Sequence, residues 1–315
     1  MKHVVRILLI LLGATAATTA YAATSAIPAA TTSPSASTSG ATATSTAPVR
    51  HFLWRISRGH ESLYLVGSIH ALNPDDYPLP PEMEADFAHS TALVEEINLT
   101  MVDPASVQQE ALRMGTYPKG QSLRTELPPA VYQQVAAGAQ KLGIDMARLD
   151  RLRPWLSSIL VLQMQLTQAG FHASDGVDHH FADEAQMMDK RVIGLETSHY
   201  QLELLARLPK KVQQDMLLES LNKAENFQTE IHAMITAWEK GDTAALEKIM
   251  QQDFKNYPLA YKLLIVDRNR AWMPRLERLL RSGRQYFVVV GALHMVGPDG
   301  LLARFEKAGY KVEQL

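Results

Sequence analysis

The stretch Leu63-Tyr64-Leu65-Val66-Gly67-Ser68-Ile69-His70 has a counterpart near the far end of the chain, Tyr286-Phe287-Val288-Val289-Val290-Gly291-Ala292-Leu293-His294. In each, a short apolar run rich in aromatic or branched residues reads as a buried strand. A glycine stops the strand, and a histidine follows three residues later. In an open α/β sheet, ligands bind outside the carboxyl ends of the strands. The two units therefore point to two imidazoles delivered to one cleft from distant parts of the sequence.

Working outward, 51–57 and 62–67 read as strands joined across Arg58-Gly59-His60-Glu61, a hairpin turn with glycine. A third strand is expected over 91–98. It carries Glu95 and Glu96, and alternation along a strand sends them to opposite faces. One of them is expected in the cleft and the other at the surface of the strand end. Glu196 closes a short strand over 191–195 in the same way. The interval 104–190 is mainly helical, with helices over 129–142, 154–169 and 177–189, and 198–281 returns to helix. Within it, Gly241 followed by Asp242-Thr243 reads as a helix end and a new N-cap. Strand 285–290, helix 299–307, a stop at Gly309 and strand 310–314 complete the chain. The fold class expected is α/β (α+β), with a mixed central sheet built from both chain ends and a large helical insertion.

Composition frames this reading. The 315 residues are 46% hydrophobic and 20% charged, as in ordinary globular proteins. A formal charge of −2 with no basic run gives no footprint for nucleic acid. Lys2, His3 and Arg6, an apolar core from Ile7, and Ala20-Tyr21-Ala22 form a signal peptide over 1–22, with cleavage expected after Ala22. Export to the periplasm or secretion follows, and no stable membrane span is expected in the mature protein. Residues 23–48 are almost entirely Ala, Ser, Thr, Pro and Gly and read as a disordered linker. The folded unit is expected over 49–315. There is no cysteine, so no disulfide framework is possible.

These residues resemble the TraB/GumN family, which also contains the Tiki-type metalloproteases. The resemblance rests on Gly67/His70, Gly291/His294 and a glutamate in Leu93-Val94-Glu95-Glu96-Ile97-Asn98-Leu99, where the family pattern selects Glu96. Arg153-Pro154-Trp155, Gly176-Val177-Asp178, Gly194-Leu195-Glu196-Thr197 with Gln201-Leu202, and Arg268-Asn269 also match. The resemblance covers the region from about residue 50 to the end. It implies a metal-dependent hydrolase, a peptidase, with His70, Glu96 and His294 as the catalytic and metal-binding residues. Glu196, Arg268 and Asp178 are secondary candidates, and Gly67 and Gly291 are the motif glycines.

Two imidazoles and a carboxylate suit a divalent transition metal such as Mn, Co or Zn, with positions left for water. Such an ion would activate water and polarise a peptide or small-molecule carbonyl. The same residues also serve acid–base chemistry without a metal, as in the erythromycin-esterase-type proteins. A non-catalytic protein binding a metal, haem or peptide is a third reading. Arg268 can grip a substrate carboxylate or carbonyl through its planar fork, or form an ion pair with a neighbouring acid. His179 and His180 lie about 100° apart on a helix and read as a solvated helix start rather than a metal pair. The histidines at the strand ends are expected to carry little packing.

Overall fold

The computed structural model describes residues 50–222 and 227–315; the expected signal peptide and linker lie outside them. Strand β1 (Leu53–Arg58) turns through Gly59 and His60 into β2 (Glu61–Ser68), with Arg58 opposite Glu61. Gly59 sits at φ +61, the left-handed conformation that so tight a turn needs. Beyond β2 the chain forms α1 (Pro81–His89), then β3 (Ala92–Glu95). The insertion brings α2 (Pro104–Gly115), α3 (Pro129–Lys141), α4 (Pro154–Gln168) and α5 (Val177–Met187). After β4 (Arg191–Gly194) come α6 (Ser198–Ala206), α7 (Lys210–Asn222), α8 (Phe227–Glu239), α9 (Thr243–Phe254) and α10 (Asp267–Leu280). Strand β5 (Tyr286–Gly291), α11 (Leu301–Lys307) and β6 (Lys311–Gln314) close the fold.

The six strands form one mixed sheet in the order β4-β3-β5-β2-β1-β6. Strands β4, β3, β5 and β2 run parallel, whereas β1 is antiparallel to both of its neighbours. The last third of the chain thus inserts β5 between β2 and β3. Every residue of β5 is buried, which explains its unbroken apolar sequence: a central parallel strand has no polar face. Phe87 of α1 and Phe181 of α5 meet Phe287 of β5 at ring distances of 5.4 and 4.7 Å, so aromatic packing seats these helices on the sheet.

The architecture agrees with the class read from the sequence, with local differences. The third strand stops at Glu95 rather than 98, and the Glu96 side chain that follows it turns to Arg268. One strand, β4, comes from inside the insertion, so the chain ends do not supply the whole sheet. The helix begun at Val177 ends at Met187, and Asp189 turns at φ +50. Helix α11 begins two residues later than read, after Asp299 and Gly300. The 198–281 interval breaks into several helices, with the junction at Gly241 (φ +60) and the Asp242 cap, whose carboxylate accepts from the Ala245 N–H at 2.9 Å. A π-helical segment, Lys262–Val266, runs straight into α10. Part of the insertion has its own small core, in which Leu123, Val135, Val161 and Leu217 pack together.

Gly67 locks the first motif against the second. A methyl group there would lie 2.4 Å from the Phe52 ring and 2.9 Å from the Ala292 Cα, and the Gly67 carbonyl accepts from the Trp238 indole at 2.6 Å. Gly67→Ala is therefore expected to cost about 1–3 kcal/mol, as overpacked cores do. The measurement is the urea midpoint at unchanged m-value. An unaltered midpoint would show that the two motif loops have slack between them.

Candidate functional site

The carboxyl ends of the four parallel strands lie side by side, and each contributes a polar residue. Ser68 of β2 pairs with Gly291 of β5, so His70 and His294 leave the sheet within a residue of the same level. Neighbouring strands lie about 4.8 Å apart, which lets side chains from adjacent ends meet. Glu95 of β3 pairs with Val289 of β5 and with Gly194 of β4. Glu96 and Glu196 follow directly, joined by a backbone hydrogen bond of 2.6 Å from the Glu196 N–H to the Glu96 carbonyl.

Arg268 fills the space between these carboxylates. Its Nη2 donates to Glu96 Oε2 at 2.6 Å and to Glu196 Oε2 at 2.8 Å, and its Nε donates to both Glu196 oxygens at 3.0 and 3.1 Å. Nη1 lies 2.9 Å from His294 Nε2 and 3.4 Å from the Leu264 carbonyl, which belongs to the π-helical turn. Such turns recur at functional sites. Burial penalises the guanidinium charge, but the charges and hydrogen bonds of Glu96 and Glu196 outweigh it and raise the Arg268 pKa. The remaining carboxylate lone pairs meet neutral donors. The Gly291 N–H donates to Glu96 Oε1 at 2.8 Å, Gln201 Nε2 to Glu96 Oε2 at 3.0 Å, and the Trp272 indole to Glu196 Oε1 at 2.9 Å.

His294 is completely buried. Its Nδ1 lies 2.6 Å from Asn269 Oδ1, while Asn269 Nδ2 donates to the carbonyls of His294 and Asp299. Those two donations assign Oδ1 as the acceptor, so His294 carries its proton on Nδ1 and presents the Nε2 lone pair to Arg268. Burial first, then the charges of Arg268 and His70, push its pKa well below the ordinary 6.5. The ring is therefore neutral at physiological pH, and it lies against Trp272 at 4.4 Å.

His70 belongs to a second group. Its Nδ1 is 3.0 Å from Oδ1 of buried Asp178, at the start of α5. The Val177 N–H donates to the Ile69 carbonyl, and a Cβ on Gly176 would fall 2.5 Å from the His70 carbonyl oxygen. This close approach is why Gly-Val-Asp is needed here. Burial raises the Asp178 pKa, but the charge and hydrogen bond of His70 more than reverse this and hold it below the usual carboxylate range. Glu95 lies nearby, 1% exposed, with Oε2 accepting from the Leu99 N–H at 3.4 Å. Burial, followed by the charge of Asp178, raises its pKa well above 4.5, so its neutral form is favoured.

Thus Glu96, Glu196, Arg268 and His294 form one hydrogen-bonded network, and His70 with Asp178 forms a pair beside it. Several expectations need correction. Neither glutamate of β3 is at the surface: Glu95 and Glu96 are 1% and 4% exposed. His294 is fully packed rather than lightly held. Of the two roles expected of Arg268, the ion pair is the one present, its donors going to Glu96, Glu196, a carbonyl and His294. His180 is half-buried and 2.8 Å from Glu84 Oε1, not solvated. Trp272 was missed altogether; its spacing of four from Arg268 on one helix was the available signal. No group of three His, Cys, Asp or Glu side chains among the described residues is placed to hold a metal ion.

A sequence profile described as the TraB/PrgY/gumN family matches residues 52–314. The chain belongs to this family. It is 26% identical to the YbaP protein of Escherichia coli (strain K12), described as uncharacterized, over 246 residues covering 77% of this chain and 87% of that protein. The YbaP protein of Shigella flexneri shows the same identity and coverage. No solved structure matches the chain significantly. Within the family's match lie both Gly-x-x-His units and every polar residue of the site.

Two outcomes follow from the charges. Arg268→Gln leaves Glu96 and Glu196 buried without their cation, which is expected to destabilise the fold by about 3–5 kcal/mol; chemical denaturation reads this directly. Glu95 acts through pH. Below about 4.5 the folded and unfolded chains both hold its proton. Above that value the unfolded carboxyl ionises while the buried one stays neutral, so stability through this group falls as pH rises towards the folded pKa. Glu95→Gln keeps the neutral shape and removes that loss. Its stability relative to the parent should rise as the pH is raised above about 4.5, and a parallel pair of curves would refute the assignment.

Proposed function

We propose that the chain is an exported hydrolase, a peptidase, in which His70 and Asp178 form the proton-transfer couple at the strand ends. The observation that carries this is the 3.0 Å approach of His70 Nδ1 to a buried carboxylate, beside a second imidazole held neutral. An imidazole oriented by a carboxylate takes a proton from water and returns it to a leaving group, and the carboxylate stabilises the charged ring between the two steps. His70 retains 7% exposure whereas His294 has none, although neither ring nitrogen of His70 reaches the surface. Glu96, Arg268 and His294 hold the adjoining strand ends in register and set the local field. A closed, dry site makes such fixed charges more effective than they are in water.

The metal-dependent form of this reading has one observation in its favour. His294 donates through Nδ1 to a fixed amide oxygen and keeps Nε2 as a lone-pair donor, which is how ligating histidines are oriented. An ion there would supply Lewis acidity and an activated water. In this arrangement, however, the guanidinium of Arg268 lies 2.9 Å from that nitrogen, and its charge would oppose a cation. The donor set as arranged does not fit an ion. Export rests on the amino-terminal sequence alone; no helix among the described residues is long and apolar enough to cross a membrane.

The test is turnover on peptide and ester libraries by the mature protein, with elemental analysis and with chelator present. His70→Gln and Asp178→Asn are expected to lower turnover by about 10²–10⁴-fold, the scale of acid–base catalysis, without abolishing folding. Chelator-resistant activity supports the metal-free form. Activity that vanishes with chelator and returns with Mn²⁺, Co²⁺ or Zn²⁺ supports the metal form. Turnover that survives His70→Gln removes the couple, and a folded protein that turns over nothing in either library leaves a binding role in its place.

A further inference from the structure

The chain entering α4 runs beside the end of α2. Thr116 and Leu152 form an antiparallel bridge, and the N–H groups of Tyr117 and Arg153 donate to the carbonyls of Arg151 and Gly115 at 2.9 and 2.6 Å. This clip sets the guanidinium of Arg153 5.1 Å from the centre of the Tyr117 ring. Both residues line a cavity of about 370 Å³, whose apolar walls come from Met114, Leu127 and Leu208. Trp155, next but one after Arg153, is fully buried and anchors the first turn of α4. The Arg153-Pro154-Trp155 motif thus has a structural half, the tryptophan, and a half that faces open space.

The charges on the cavity are those of Arg153, Lys210 and Glu126. Lys210 and Glu126 lie 3.7 Å apart and offset each other. Arg153 makes no ion pair with an acid among the described residues; its guanidinium stacks on Tyr117. The Tyr117 phenol, raised by burial and by the charge of Glu126, stays neutral and keeps its proton to donate. The cavity therefore offers one uncompensated cation, a neutral donor and an apolar wall.

We propose that this cavity binds a monoanion with an apolar body, its carboxylate on Arg153 and its hydrocarbon part against Met114, Leu127 and Leu208. A guanidinium fork matches a carboxylate with two parallel hydrogen bonds. At about 30 Å³ for each water-sized group, the space takes about a dozen heavy atoms, the size of a medium-chain fatty acid. A phosphate ester would bring a second negative charge towards Glu126, so a single carboxylate suits the lining better. The cavity is separate from the strand-end site, although one helix touches both: α6 supplies Gln201 to Glu96 and Ala206 to the cavity wall.

Octanoate is the probe, with 1-octanol and octylamine as controls, titrated calorimetrically into the purified full chain. Saturable octanoate binding is expected, with neither control competing. Arg153→Gln is expected to weaken it about tenfold or more, the scale of a lost charge-assisted pair. Gln214→Glu, which adds a negative charge to the lining without touching Arg153, should weaken it as well; it decides the matter alone if the arginine variant does not fold. Equal affinity for octanol and octanoate would reduce the cavity to an apolar hole. No octanoate binding at millimolar concentration, or binding unchanged in the folded variants, would overturn the proposal.

Discussion

A guanidinium that is 1% exposed must be compensated where it sits, and the residues that surround Arg268 come from the carboxyl ends of three of the four parallel strands. Glu96 follows β3, Glu196 follows β4, His294 follows β5, and Arg268 itself starts α10. Removing a charge from water costs several kcal/mol even after relaxation, so none of these groups tolerates the absence of the others. Two carboxylates against one guanidinium leave an excess negative charge. The fold meets it with the Gly291 N–H, the Gln201 amide and the Trp272 indole rather than with a second cation. A protonated His294 would have been the alternative, and its burial beside Arg268 prevents that.

This constraint ties the site to the topology. The Arg268–Glu96 contact spans 172 residues of sequence, and the Gly291–Glu96 contact spans 195. Arg268 and Gly291 both lie in the last third of the chain, so that part of the sequence completes the charged network. Long-range parallel pairing of this kind is the slow part of folding. The network is tied to the register of β5 at the centre of the sheet, since a one-residue slip would turn the Gly291 N–H away from Glu96.

Much of this was legible in the sequence because strand stops and side-chain alternation are local signals. Gly67 and Gly291 announced two strand ends, and the short run 191–195 ending in Glu196 announced a third. The cap at Asp242 and the turn at Gly59 were equally local. What escaped notice depends on partners distant in sequence. Glu95 read as a surface residue because nothing in Ala92-Leu93-Val94 says that α5 will cover that face with Asp178. Asn269 looked like the neighbour of Arg268, yet its role is fixed by a histidine 25 positions away. The π-helical turn before α10 leaves no mark on an apolar stretch such as Lys262-Leu263-Leu264-Ile265-Val266, because its register is set by the buried guanidinium bonded back to Leu264.

The two histidines begin as equivalents, each three residues after the glycine that ends a parallel strand, and the fold makes them chemically different through one choice of partner. His70 has a carboxylate at 3.0 Å, and an imidazole facing an anion can take up a proton with its charge offset at once. The depressed pKa of Asp178 records the same attraction from the other side. His294 has an amide oxygen at 2.6 Å, which fixes the tautomer but offers no charge, and a guanidinium on its other nitrogen opposes protonation. This asymmetry requires Asp178 from the middle of the chain and Asn269 with Arg268 from a helix near its end. Unlike surroundings of this kind push the protonation behaviour of two like side chains apart, and here they do so for two histidines that the sequence presents as equivalents.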